Sequence, residues 1–272
     1  MAIVENSVVR PDLRDPNIYL PGVTFPEKVA TSQDLTTAEE PQTFPGPEIN
    51  GRATEVTLLS TDQLAKSAFL PSLHHIINDA FGNGDGRKGI WERKNDRLKS
   101  DNQIIDELGS VPGTFTYVLS FAGTNQAVGT ASGKRYEGRQ LIVEKCDKAA
   151  REKNTWKRTG LVPDDTDAWE LALMAVDLNA QRQGVARYLM ELVEKELKRR
   201  FQAAAVDANG EKKPQVLKTM LTCMKEINYG FYTRRGFAPD YEIFYEPGHL
   251  GSTNGFTVIH MSKTVNLEDV PT

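Results

Sequence analysis

Cysteine is scarce in this chain: Cys146 and Cys223 are the two among 272 residues. Two cysteines build neither a disulfide framework nor a metal quartet. Any apolar run near the roughly 20 residues of a membrane-spanning helix is missing as well. The opening stretch, MAIVENSVVRPDLRDPNIYLPG, lacks a basic segment followed by an apolar one, so no secretory signal is expected. Neither sign of charge dominates. Lysine and arginine total 33 against 37 aspartates and glutamates, a net charge of −4, which argues against a nucleic-acid partner. His74 and His75 are neighbours on an expected helix and cannot share one face, so no metal site is expected there. These absences point to a soluble intracellular protein, cytoplasmic or nuclear, with no membrane partner. A hydrophobic content of 39% is enough for a real core.

What is present changes character near residue 52. Residues 1–50 hold seven of the fourteen prolines, with eight acidic and three basic residues. Such a composition cannot pack a core alone. Residues 1–51 therefore read as a proline-rich acidic arm, either ordered in part with Val8, Val9, Leu13, Tyr19, Leu20, Val23 and Phe25 along a domain surface, or disordered. Residues 52–265 read as one domain with an insertion at about 137–167, followed by a tail at 266–272.

Within that domain TEVTLLS reads as a strand, with a helix capped by Thr61 and running through about Phe81. A glycine-rich loop, FGNGDGRKGIWERK, and a short helix near 101–109 follow. GTFTYVLSFAG and QAVGTASGKRY, separated by TN, read as an antiparallel hairpin. Basic residues cluster in the insertion, with some helix expected around 144–153. WELALMAVD is a strand, and a helix from about 184 to 204 carries Ala186, Leu189, Leu192, Val193 and Leu197 on one face. QVLKTMLTCMK, YEIFYE and FTVIHMSK are further strands, with a short helix in INYGFYTRRGF. The order describes an α/β sandwich around a mixed sheet.

One junction stands out: VDLNAQRQGVARYL places Gly184 between a strand and a long charged helix. A strand ending in a tight turn at a helix start presents unpaired amides together. The helix dipole adds partial positive charge, so the turn suits a phosphate or pyrophosphate. Gln181, Arg182 and Arg187 add side-chain donors, and Gly184 and Ala186 keep bulk away from the ligand. QRQGVA resembles the R/Q-x-x-G-x-G/A turn of the GCN5-related N-acetyltransferase (GNAT) superfamily, and LMAVD precedes it where that family has a strand. FYTRRGF at 231–237 is similar to the family's F-Y-x-K-x-G-F segment, and VIHMSK to its last strand. The resemblance covers about residues 54–263. It implies a mixed, largely antiparallel sheet flanked by helices, with acetyl-CoA as co-substrate and no metal. Gln181, Arg182, Gln183, Gly184, Val185, Ala186 and Arg187 would hold the pyrophosphate. Met174 and Val176 would lie beside the pantetheine arm. The chain departs from the family where Lys225 stands seven residues before Tyr232, at a position usually held by asparagine.

Acetyl transfer to an amine needs a neutral nitrogen, a polarised thioester and a proton for the leaving thiolate. An alkyl amine has a pKa of about 10.4, so neutralising it near pH 7 costs roughly 4–5 kcal/mol. Glu170, at the start of ELALMAV, matches the position of the family's general base, with Trp169 expected to make its surroundings apolar. Tyr232 matches the tyrosine that serves as acid. His249, in EPGHLG, is an alternative acid or base, and Cys223 reads as a core residue. The expected activity is acetyl transfer from acetyl-CoA to a primary amine of a small molecule. A protein or peptide acceptor, or a non-catalytic acyl-CoA-binding module, are the alternatives.

Overall fold

The computed structural model describes residues 40–82, 89–91, 96–136, 166–203, 215–249 and 252–267. All of them belong to a compact unit spanning Asp34–Thr272. The unit Met1–Gln33 and nearly all of the insertion, with the helix expected around 144–153, lie outside the described residues.

Among the described residues, eight strands form one sheet in the order β1-β2-β3-β4-β5-β6-β8-β7: β1 Gln42–Pro45, β2 Thr54–Ser60, β3 Phe115–Phe121, β4 Ala127–Arg135, β5 Thr166–Val176, β6 Val216–Met224, β7 Ala238–Tyr245 and β8 Phe256–Thr264. Every pairing is antiparallel except β5 with β6. Alternation along the strands divides the side chains between two faces. Helices α1 (Thr61–Ala65), α2 (Leu70–Gly82) and α3 (Asn102–Leu108) cover one face over β2 to β5, around Leu59, Leu73, Ile77, Val118, Leu173 and Ala175. Helices α4 (Val185–Ala203) and α5 (Lys225–Thr233) cover the other, around Phe115, Trp169, Leu189, Leu217 and Met261.

Three differences from the sequence reading have physical causes. The helix expected from Thr61 to Phe81 is two helices. Pro71 lacks an amide hydrogen and fits only a helix's first turn, so the chain breaks after Ala65 and restarts at Leu70. The cap is Ser60 rather than Thr61: its hydroxyl accepts from Gln63 N while the Gln63 side chain accepts from Ser60 N, a reciprocal capping box. Finally, Gln42–Pro45, inside the stretch read as an arm, pairs with β2 as a short proline-bounded edge strand. Ile49 is buried in the core.

Helix α4 carries the heaviest packing. Leu189 is fully buried, and its methyl, with that of Val185, lies where a Cβ on Gly129 would fall, at 2.9 and 3.1 Å. The missing side chain lets the helix press directly onto β4. On the same helix Glu196 is buried and accepts from Nε of Arg199 at 2.8 Å and Nε of Arg200 at 2.6 Å. Burial by itself would raise its pKa; the two guanidiniums outweigh that and hold the carboxyl below its ordinary range.

Leu189→Ala is expected to lower stability by about 2–5 kcal/mol in urea denaturation, because α4 cannot close the cavity against β4. A carboxylate with a depressed folded pKa contributes stability that is present above its unfolded value, about 4.3, and fades as pH falls through the folded value. Glu196→Gln should therefore flatten the loss of stability below about pH 4 in denaturation at a series of pH values.

Candidate active site

The site begins where β5 leaves β6. Their pairing runs from Thr166↔Val216 to Glu170↔Met220 and stops. Beyond that point β5 continues to Val176 on β4, and β6 continues to Met224 on β8. Residues 171–176 and 221–224 thus border a fork whose inner edges are free of ladder partners. A bulge sharpens it: Thr130 pairs with Ala175 and Ser132 with Ala172, so Ala131 faces both Leu173 and Met174. Leu173 takes φ +46°, a costly value for a leucine, and its side chain is buried under α2. Met174 is thereby turned to the α4–α5 face.

The bulge also reverses which residues face which helices. Before it Trp169 and Leu171 point to the α4–α5 face, so Glu170 points to the α1–α3 face, cross-strand from Lys134. The expectation that Trp169 shields Glu170 fails for this reason: strand neighbours lie on opposite faces. Trp169 packs on Phe115 and donates from Nε1 to Asp167 at 3.0 Å.

Tyr232 comes to the fork from the other face. It packs edge-on against Phe231 and Phe237, and its hydroxyl donates to the thioether sulfur of Met174 at 3.8 Å. Burial pushes its phenol pKa up, the nearby Cys223 adds to this, and Arg235 opposes it, so the hydroxyl stays protonated. Burial likewise pushes the Cys223 thiol up to about 12, with Glu226 contributing, which leaves it a poor nucleophile.

The strand-to-helix turn closes the far end of β5. Asp177 accepts from Asn179 N and starts a single 3₁₀ turn, Leu178–Ala180. Arg182 and Gly184 then take φ +63° and +84°. The first bond of α4 runs from Tyr188 N to Gly184 O, which leaves the amides of Val185, Ala186 and Arg187 without acceptors inside the helix. Nothing lies within 4 Å of the place a Gly184 Cβ would occupy. This is an open, electropositive cradle that fits a diphosphate.

The side chains expected to help divide. Gln181 donates weakly to Val176 O at 3.4 Å. Arg187 pairs with Glu191 at 2.6 Å. Gln183 is turned away, bonding Asn50 and the carbonyl of Asn179, so it ties the turn to the β1–β2 connection and leaves only its backbone toward the cradle. Lys225, at the family's asparagine position, is ion-paired to Glu242. The sequence reading missed Arg234, Arg235 and Lys263. With Arg187, Met190, Glu191 and Glu194 they line a cleft of about 350 Å³ beside α4. Arg235 lies over the Phe231 ring at 3.8 Å. Partial burial, then Arg187 and Arg234, lower its pKa, while Glu191 opposes them. Their sequence signal was the double arginine in FYTRRGF.

At the open end of the fork, two connections are joined. Thr253 N donates to Ile90 O at 2.6 Å, and the Asn254 side chain donates to Gly89 O. Trp91 packs on Phe256, and the Tyr245 ring stacks on His249, beside Met224 and Ile227. The described end of the glycine-rich loop is thus part of a packed wall, and so is His249. His74 and His75 pair separately with Asp101 and Asp79. Among the described residues no cluster of metal-ligating side chains occurs, and no helix is long and apolar enough to cross a membrane.

A forked parallel pair, a glycine turn at a helix start and a tyrosine across the fork thus lie in one region of the sheet. The family model for the acetyltransferase (GNAT) family matches residues 70–237, and the chain belongs to that family, whose co-substrate is acetyl-CoA. The structure is similar to the ribosomal-protein-S18-alanine N-acetyltransferase of Escherichia coli, with 16% identity over 80% of this chain and 99% of that one, TM-score 0.41. It is also similar to Arabidopsis thaliana NAA60, with 10% identity over 78% and 98%, TM-score 0.44. A third is an aminoglycoside 6'-acetyltransferase type Ii, with 14% identity over 80% and 98%, TM-score 0.41. No curated protein sequence matches the chain.

Gly184→Val places a β-branched residue at φ +84° and a side chain in the cradle. Calorimetric titration should show CoA binding weakened at least tenfold, about 1.4 kcal/mol, with the fold retained in circular dichroism.

Proposed function

We propose that the chain moves an acetyl group from acetyl-CoA to a primary amine of a small molecule by direct transfer within a ternary complex. The observation that carries this reading is the fork past Glu170 and Met220, flanked by an amide cradle at one end and Tyr232 on one face. The amides of Val185, Ala186 and Arg187, with Arg234, Arg235 and Lys263, would hold the phosphates, and the inner edge of Met174–Val176 the pantetheine arm. Acetyl-CoA supplies the acetyl group as a thioester. Glu170, on the face opposite Tyr232, accepts a proton from the attacking nitrogen. Tyr232, kept protonated by burial, gives up its proton to sulfur as charge builds there, exchanging the weak Met174 contact for a stronger one.

A small acceptor is favoured by the bridged end of the fork. The bonds from Thr253 and Asn254 to the Gly89–Ile90 backbone tie two connections together where a polypeptide would need an open groove. A protein or peptide amine is the competing acceptor.

The test follows thiol release from acetyl-CoA with a panel of amines. Tyr232→Phe should lower kcat by about 10²–10⁴, and Glu170→Gln should do the same, with CoA affinity unchanged. CoA binding without turnover on any amine would instead mark a binding module.

A further inference from the structure

Acetylation of an ammonium removes two protons from nitrogen, since three are present at the start and one remains in the amide. Glu170 accounts for one of them. Building on the acetyl-transfer reading, we propose that Thr222 and His260 form a proton relay that takes the other, from the arriving ammonium.

The pair is set on the sheet by register. Met220 is the last β6 residue paired with β5, and Thr222 follows on the same face, the one to which Glu170 points. Thr222 pairs with His260 of β8, and His260 with Tyr241 of β7. The Thr222 hydroxyl lies 3.0 Å from His260 Nδ1, and the imidazole stacks on the Tyr241 ring with centroids 4.1 Å apart and planes 23° from parallel. Along β6 the neighbours are apolar methionines, Met220 and Met224, and Thr222 is the exposed residue between them. A step of two residues along β6 and one strand across puts Thr222 roughly 8 Å from Glu170 at the backbone, room for one nitrogen between them.

A hydroxyl is both donor and acceptor, so it can pass a proton without keeping it. The ammonium N–H bond breaks toward the Thr222 oxygen as the Thr222 O–H proton moves to Nδ1 of His260. The nitrogen keeps the electron pair and becomes the nucleophile; the imidazole becomes imidazolium, favoured by the face of Tyr241. Because Thr222 is exposed, the imidazolium can then return its Nδ1 proton to the Thr222 oxygen as the hydroxyl proton passes to water, which restores the pair. Among the described residues, the other strand residues with titratable groups on this face include Glu170 of β5, Lys134 of β4 and Lys218 of β6, which pairs with Ala168 and Thr264. Asp240 sits in the β7 bulge and accepts from Ser262 at 2.9 Å.

The energetics select the substrate. An imidazole with a pKa of about 6.5 is about 4 units below an alkyl ammonium but only about 1.5 below an α-ammonium. The relay therefore suits an α-amine, as in an amino-acid derivative.

The probe is L-alaninamide, with kcat/KM measured against pH and CoA affinity measured in parallel. Wild type should show a rising limb as the imidazole loses its proton. His260→Gln should lose that limb and fall about 10²-fold or more, Thr222→Val should follow it, and Thr222→Ser should recover. An unaltered profile in His260→Gln, with CoA bound, overturns the relay alone. CoA binding without turnover of L-alaninamide overturns the α-amine assignment drawn from the relay, and the relay with it. Failure of wild type to bind CoA overturns the acetyl-transfer reading, and the relay with it.

Discussion

The parting of β5 from β6 is the constraint on which the rest of the site depends. A parallel pair bonded over its full length would present only side chains on its two faces. Ending the ladder at Glu170↔Met220 exposes backbone edges to a ligand from within the sheet. It also connects the two faces, so that groups on opposite sides of the sheet can meet at one reacting centre. Glu170 and Tyr232 lie on opposite faces, and the proposed mechanism depends on the fork to let both act on one substrate.

Holding the fork open takes support on each side. β5 is tied to β4 through a bulge that drives Leu173 into the α1–α3 core at an unfavourable φ and turns Met174 toward Tyr232. β6 is tied to β8 along seven register pairs, and α5 packs on both. The cost of the strained leucine, of order 1–3 kcal/mol, is offset by its burial. Strain here does structural work in aiming a strand edge.

Electrostatics follow the same division. Cations gather at the α4 N-terminus and along Arg234, Arg235 and Lys263, moderated by Glu191 and Glu194. The opposite face carries Glu170 with Lys134 and Lys218, and Thr222 between Met220 and Met224.

Most of the fold was legible in the sequence because its signals are local. The QRQGVA turn announced a tight glycine turn at a helix start, and the α4 stripe of Leu189, Val193 and Leu197 announced a buried face. Apolar runs gave β2 to β8, and Pro71 carried the helix break that periodicity alone overlooked. Tertiary structure alone decided what depends on register. It turned Trp169 away from Glu170, spent Gln183 on Asn50, added β1 to the sheet, and set Thr222 over His260 and Tyr241. Each joins residues distant along the chain, and a shift of one residue in a strand exchanges the faces of all its side chains. Composition and local pattern cannot encode that choice; the bulge at Leu173 and the end of the β5–β6 ladder make it.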